Sequence, residues 1–482
     1  MIKSNNILRA GIAKSDITTD APDAVIADRL YAKALVIDDG NTKLVIITMD
    51  VTAIGGRHIS AGMLPDIGEA FLPELRFRIE QELGISGCNV LVNASHTHPS
   101  GKMLCDDEQQ IERTFDAVRR ATQNMDEVKI GSGYGIEDRI SMNRTLRLKN
   151  GLHWSLRHTN PSPPDDEIAG TGPVDYEIGV LRIDRLDGSP LAVVYNFACH
   201  LLFGNTDNSI SANLPGYASE LIEQTLKHGA LAFFVQGAAG DIIDINFENF
   251  RQPRDVKDMG MKLGQSVLDA YQNIEPENLT LDVISKTIML PRRTDVPEKV
   301  AKLKQQQAEL LESLRFTTLN FDMFMSLRGS EIDSGMDAIN QKNMAKYLQN
   351  IRAMEQLARI EDKIATLEKH RKLNDESGSD TIAMEVQAIR IGEAVLIASP
   401  AELLAEIGLN LKKASPFKYT LVAGYSNGYM HYGAPASYYD KGGYEVTESL
   451  LGSEWQQIFE RASAAMLHNL RNTTKGYRCP RS

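Results

Sequence analysis

Nowhere in these 482 residues does an apolar run reach the roughly 18 residues that a membrane-spanning helix needs. The amino terminus, Met1-Ile-Lys-Ser-Asn-Asn-Ile-Leu-Arg-Ala10, also lacks the apolar core of a secretory signal. As given, the chain reads as cytoplasmic, with a processed secreted form as the alternative. Cysteine is scarce: Cys88, Cys105, Cys199 and Cys479 are scattered without a Cys-x-x-Cys pair. That argues against a disulfide framework and against a structural zinc knuckle. Clusters of Lys and Arg are missing too, and the formal net charge is -12. Phosphate backbones and anionic membranes are gripped by such clusters, so the expectation is no nucleic-acid partner and no stable membrane insertion. There is no His-Glu-x-x-His, which excludes a helix-borne metalloprotease site in its usual form.

What is present is the composition of a globular protein with a substantial core, 42% hydrophobic and 24% charged, without low-complexity tracts or an obvious short-period repeat. Apolar runs of strand length recur at Lys43–Met49, Asn89–Val92, Leu191–Phe197, Leu231–Val235, Ala394–Ala398 and Thr420–Ala423. Their near-continuous hydrophobicity implies strands buried on both faces. Helical patterns lie between several of them, as at Glu69–Leu83 and Tyr217–Lys227. The expected fold class is α/β, a layered mixed β-sheet core with flanking helices and a long helical insertion. Chemistry-capable residues follow each run: Asp50, His96 with His98, His200, Gln236 with Asp241, Glu402, and Asn427 with Tyr429 and Tyr432. In open α/β sheets ligands gather outside the carboxyl ends of strands, so these ends point to a shared site; polar loops that merely end strands would explain part of the coincidence.

Residues 296–372 have a different texture. Val300, Leu303, Leu310 and Leu314, then Leu348, Ile351, Met354, Leu357 and Ile364, follow helical spacing among many Lys, Glu and Gln residues. A helical hairpin inserted into a main domain of residues 1–295 and 373–482 is expected, joined through the stretch holding Gly329 and Gly335. It would cover a site, pack on the main body, or form a homodimer interface.

His96 and His98 carry the most chemical information. An extended backbone sends residues i and i+2 to one face. Two such imidazoles could hold a transition metal, or divide metal binding from proton transfer; a polar loop is the plain alternative. With ten histidines in the chain, His200 at the end of Val193–His200 is the best third imidazole.

Eight segments in order then resemble one family: Arg9–Thr18, Asn93-Ala-Ser-His-Thr-His-Pro-Ser-Gly101, Met142-Asn-Arg-Thr145, Phe197-Ala-Cys-His200, Asn213–Ser219, Gln236-Gly-Ala-Ala-Gly-Asp241, Ser399-Pro-Ala-Glu402 and Ser426-Asn-Gly-Tyr-Met-His-Tyr432. Together they are similar to the neutral, non-lysosomal ceramidases, from about residue 8 to 455. The resemblance implies a zinc amidohydrolase. It implies Zn2+ held by His96, His200, Glu402 and Tyr432, with His98 as proton shuttle and Arg144 and Tyr444 in the substrate site. The spacing from Tyr432 to Tyr444 matches the family and favours Tyr432 over Tyr429 as ligand. Two imidazoles, a carboxylate and a phenol suit a catalytic zinc with room for water. Asp241 is expected to orient a ligand histidine, and Asp50 either to do the same or to cap a loop.

Two departures shape the expected activity. The family's proposed serine nucleophile corresponds to Ile243, so the burden falls on metal-activated water. The family's C-terminal immunoglobulin-like domain has no counterpart after Tyr432. The aromatic content is 6%, and no basic patch for a membrane is evident. The sequence therefore favours hydrolysis of a soluble amide or ester, with a lactone or sugar derivative also open. A true ceramidase and a non-catalytic metal-binding scaffold are the alternatives.

Overall fold

The computed structural model describes residues 8–55, 67–98, 104–156, 162–202, 209–245, 255–277, 279–314 and 337–472, with backbone alone for 337–347. Its architecture is three quartets of strands with one connectivity. In the first, Arg9–Asp16, Tyr31–Asp38 and Lys43–Met49 run antiparallel; a crossover through helix Phe71–Leu83 then returns Val90–Ala94 parallel to the third strand. The second repeats this with Met125–Ile136, Glu177–Arg185 and Pro190–Phe197, then helix Asn213–Leu226 and the parallel strand Leu231–Gln236. In the third, Leu281–Pro291, Thr381–Ile391 and Ala394–Ala398 lie side by side, and helix Ala405–Ala414 leads to the parallel strand Tyr419–Ala423.

Quartets one and two join through their first strands, where Arg9, Ala10 and Gly11 pair with Glu127, Asp126 and Met125, to make one eight-stranded mixed sheet. The third is a separate four-stranded sheet. Alternate side chains go to opposite faces. Leu35, Ile37, Leu44, Ile46, Leu91 and Val194 therefore meet Leu281, Ile389, Leu396 and Leu421 between the two sheets. The other face of the large sheet packs on helices Phe71–Leu83 and Asp107–Gln123, and on Asn213–Leu226 and Val256–Gln272. The outer face of the small sheet, with Val395, Ile397 and Val422, packs on Ile407, Leu411, Trp455 and Phe459 from two helices. The result is a layered α/β body with a helix layer outside each sheet. The doubly buried strands explain the continuous apolar runs.

Two insertions interrupt equivalent hairpins. Between the first two strands of quartet two, residues 137–176 form short strands at Ser141–Asn143, Thr145–Leu148, His153–Ser155 and Ile168–Thr171. Between the first two of quartet three lies a second compact unit, Pro291–Thr381. It holds helices Val296–Ser313 and Asp337–Ser377, the latter 41 residues long. Val296, Val300 and Leu367 form its small core, with Leu303 and Ile364 packed against it. The expected apolar positions Leu348 and Met354 are instead exposed, and the connection with Gly329 and Gly335 falls outside the described residues.

Cys88 is disulfide-bonded, which corrects the expectation drawn from scattered cysteines; a disulfide requires proximity in space, which spacing along the chain does not report. Cys105 and Cys199 are buried free thiols, and Cys479 falls outside the described residues. Among the described residues, no helix is long and apolar enough to cross a membrane.

Candidate metal centre

The loops that follow the third and fourth strands of all three quartets meet. Ser95 and His96 donate their backbone N–H groups to Met49 and Val51, Gly240 donates to Leu403, Glu402 to His431, and Ala94 to Tyr425. Fully buried Gln236 ties two of these loops: its amide nitrogen donates to the carbonyls of Ser95 at 2.9 Å and Cys199 at 2.8 Å. Gly240 is glycine because a Cβ there would lie 2.7 Å from the Glu402 carbonyl oxygen. His96 sits at φ 62, in the left-handed region that costs a non-glycine residue about 1–2 kcal/mol. The strand before it ends at Ala94, so the two histidines converge through this bend rather than through the extended backbone expected from their spacing.

Three imidazoles come together there. The Nε2 atoms of His96 and His200 are 2.9 Å apart, as are those of His98 and His96. Nδ1 of His96 is 2.6 Å from the Thr52 carbonyl oxygen, and Nδ1 of His200 is 3.1 Å from that of Ala239. A carbonyl only accepts, so both Nδ1 atoms carry the proton, and in the neutral rings both Nε2 atoms present lone pairs. Two lone pairs facing each other at 2.9 Å repel unless a cation lies with them. The donor set therefore fits a metal ion. Burial, reinforced by His96, lowers His98 to about 3, and burial lowers His200 far below the ordinary imidazole range, so both rings are neutral, His200 as ligation requires.

Glu402 and Tyr432 are delivered as a pair, because Glu402–Leu403 and Tyr432–Gly433 run parallel with Glu402 opposite Tyr432. Oε2 of Glu402 lies 3.5 Å from His96 Nε2 and 3.9 Å from His200 Nε2. Tyr429 donates to Oε1 at 2.6 Å and Tyr425 to Oε2 at 3.3 Å, and the Tyr425 ring packs on His96 with centroids 4.1 Å apart. Burial raises the Glu402 carboxyl, but His96, His200 and the Tyr429 hydroxyl outweigh it and hold the group well below the usual carboxylate range.

Arg144, from the first insertion, is buried beside them. It donates from Nη2 to the Tyr432 hydroxyl at 3.1 Å and to the Gly240 carbonyl at 2.8 Å, and from Nε to Glu445 at 2.7 Å. Burial opposes its charge, but Tyr432 and Glu445 more than compensate. The Tyr444 ring meets that of Tyr432 edge-on, with centroids 5.6 Å apart. Glu445 was not among the residues expected from the sequence; its partner lies 301 positions away, and its only sequence signal is adjacency to Tyr444.

Other expected positions do different work. The Asp241 carboxylate accepts from Asn143 at 2.7 Å and from the Ala405 backbone at 2.8 Å; it anchors the segment before Arg144 and a helix start rather than a ligand histidine. Asp50 accepts the Tyr31 N–H at 2.9 Å and so caps a strand end. Asn427 accepts the Val92 N–H at 2.9 Å and joins the two sheets. Ile243 pairs with Met142 and forms a backbone bridge to His200. His58 and His158 fall outside the described residues.

No protein-family model matches the sequence. Solved structures do. Neutral ceramidase from Pseudomonas aeruginosa superposes with a TM-score of 0.66 over 99% of this chain and 77% of that one, at 18% identity. The fold is that of neutral ceramidase. A ceramidase complexed with C2 matches with a TM-score of 0.62 over 98% of this chain and 77% of that one, at 17% identity. The neutral-ceramidase resemblance read from eight short motifs is thus borne out by the fold, and the histidine cluster supplies a candidate metal centre within it.

Proposed function

We propose that this protein is a zinc-dependent hydrolase of amides or esters of soluble small molecules, with His96, His200, Glu402 and Tyr432 as the ligands. The observation that carries the reading is the facing pair of Nε2 lone pairs on His96 and His200, each fixed by a carbonyl behind it. Zinc bound there would polarise a scissile carbonyl and lower the pKa of water to about 7. His98, half-buried at the edge of the cluster, takes a proton from the attacking water and returns it to the leaving nitrogen or oxygen. Arg144 and Tyr444 hold the carbonyl oxygen as charge develops on it. Ile243 provides no nucleophile, which leaves water in that part.

Metal analysis of protein prepared without added metal is the direct test. About one equivalent of zinc is expected, lost in His96→Ala and His200→Ala. Less than half an equivalent, unchanged by either substitution, would overturn the proposal.

A second reading, hydrolysis of the N-acyl bond of ceramide, draws support from the neutral-ceramidase fold. Turnover of a fluorescent short-chain ceramide beside a panel of soluble N-acyl compounds and lactones separates the two. Robust ceramide cleavage would displace the soluble-substrate reading. The disulfide at Cys88 supports an oxidising compartment, the secreted alternative, over the cytoplasmic one.

A further inference from the structure

Arg144 places a fixed positive charge against a centre that is to hold a cation. Its Nη2 touches the Tyr432 hydroxyl, and Tyr432 stands opposite Glu402 in register. A bare guanidinium in that position would repel a divalent ion, and weakly screened surroundings would make the repulsion strong. The chain answers with Glu445. Glu445 is 2% exposed, as is Arg144, and its carboxylate receives the Arg144 Nε–H at 2.7 Å. The second carboxylate oxygen receives the Ser155 hydroxyl at 2.6 Å, and the same Ser155 oxygen accepts the Tyr444 N–H at 2.9 Å. Two segments distant in sequence, one carrying Arg144 and Ser155 and the other Tyr444 and Glu445, are spent on fixing one carboxylate behind one guanidinium.

We propose that Glu445, held by Ser155, is a positioning residue that aims Arg144 at Tyr432 and cancels its charge, so that the metal ligands face a neutral Arg144–Glu445 couple. This rests on the metal-centre reading above. The geometry gives two jobs to the couple. Aim comes from the bond between Glu445 and Nε, which sets the plane of the guanidinium and leaves Nη2 for Tyr432 and the Gly240 carbonyl. Charge cancellation follows from burial, because no solvent is at hand to screen Arg144 once Glu445 is removed. The two jobs predict different outcomes when Arg144 is removed as well.

The test measures the affinity of the full-length protein for zinc by competition with a chromogenic chelator, with a thermal melt on each variant. Glu445→Gln is expected to weaken zinc binding by about 10- to 100-fold, the usual range for partners that support metal ligands. Combining Glu445→Gln with Arg144→Met should restore affinity to within a few-fold of the parent, because the uncompensated charge is then gone. Ser155→Ala, a smaller change, should weaken binding by less than Glu445→Gln and serves if that variant does not fold. Wild-type affinity in both Glu445→Gln and Ser155→Ala would overturn the proposal. So would a double variant as weak as Glu445→Gln alone, which would mark Glu445 as structural support only. A parent protein that binds no zinc would fell the metal-centre reading itself, and this inference with it.

Discussion

The two insertions, residues 137–176 and Pro291–Thr381, enter the chain at the same place in the repeating quartet, between its first and second strands, yet they end as different kinds of structure. The first is stitched into the body by polar contacts. Met142 pairs with Ile243, Asn143 donates to Asp241 at 2.7 Å, and Ser155 donates to Glu445. The second is a unit with its own small core of Val296, Val300 and Leu367, and ion pairs of its own such as Arg293 and Lys299 with Asp295. A hairpin connection tolerates added chain because its ends stay close while the sheet continues behind them. Whether the added chain acquires chemistry then depends on where its polar side chains find partners. Arg144 found them at the centre.

That contrast can be broken first at Arg144. Arg144→Ala is expected to reduce turnover of any substrate identified by about 10²- to 10³-fold while zinc stays bound, the loss typical for one oxyanion-stabilising donor. An equal loss from any substitution within Pro291–Thr381 would show that the second insertion also serves the reaction. Next in size is Leu367→Ala, which removes part of a three-residue core and should cost about 2–5 kcal/mol of that unit's stability. Hydrogen exchange should show the loss confined to residues 291–381, with zinc affinity unchanged; a loss shared by the whole chain would mean that the two units unfold as one.

Asp241, the anchor of the first insertion, gives a pH signature. Burial raises its carboxyl to about 6, against the opposing donors Ala405 N–H and Asn143. The folded chain therefore binds this proton more tightly than the unfolded chain does. The ionisation penalty is absent below about pH 4 and fully present above about pH 6, so this group makes stability fall as pH rises across that window, by up to about 3 kcal/mol. Asp241→Asn should flatten that segment of the pH–stability curve, whatever constant cost the mismatched amide adds; an unchanged slope would count against a raised carboxyl. The smallest expected effect concerns Cys88: denatured, unreduced protein should titrate with fewer thiols than the four of the reduced chain. Four in both states would exclude the disulfide.

The six strands read from the sequence are the third and fourth of each quartet, and the first two of each went unread. The physical cause is burial. Strands such as Lys43–Met49 and Ala394–Ala398 are buried along almost their whole length, with apolar side chains on both faces, and show as unbroken hydrophobic runs. Arg9–Asp16 and Met125–Ile136 mix Gly, Lys and Asp with apolar residues, and their strand character comes from pairing with Tyr31–Asp38 and Glu177–Arg185 and, over three residues, with each other. For the same reason the threefold connectivity left no visible repeat: a repeated order of elements requires only that apolar and polar positions recur, not residues. The strand ends, by contrast, were legible at His96, His200 and Glu402, because a polar residue after a buried run is a local signal.

By itself, then, the sequence determined the layered α/β class, the six buried strands and the set of residues that stand at their carboxyl ends, since each depends on hydrophobic pattern over a few neighbours. Tertiary structure alone decided which of those residues meet. It turned Asp241, Asp50 and Asn427 to structural work, oriented the imidazoles of His96 and His200 through the carbonyls of Thr52 and Ala239, and brought Glu445 behind Arg144. Those outcomes hang on single hydrogen bonds between segments far apart in the chain, and no local pattern encodes them.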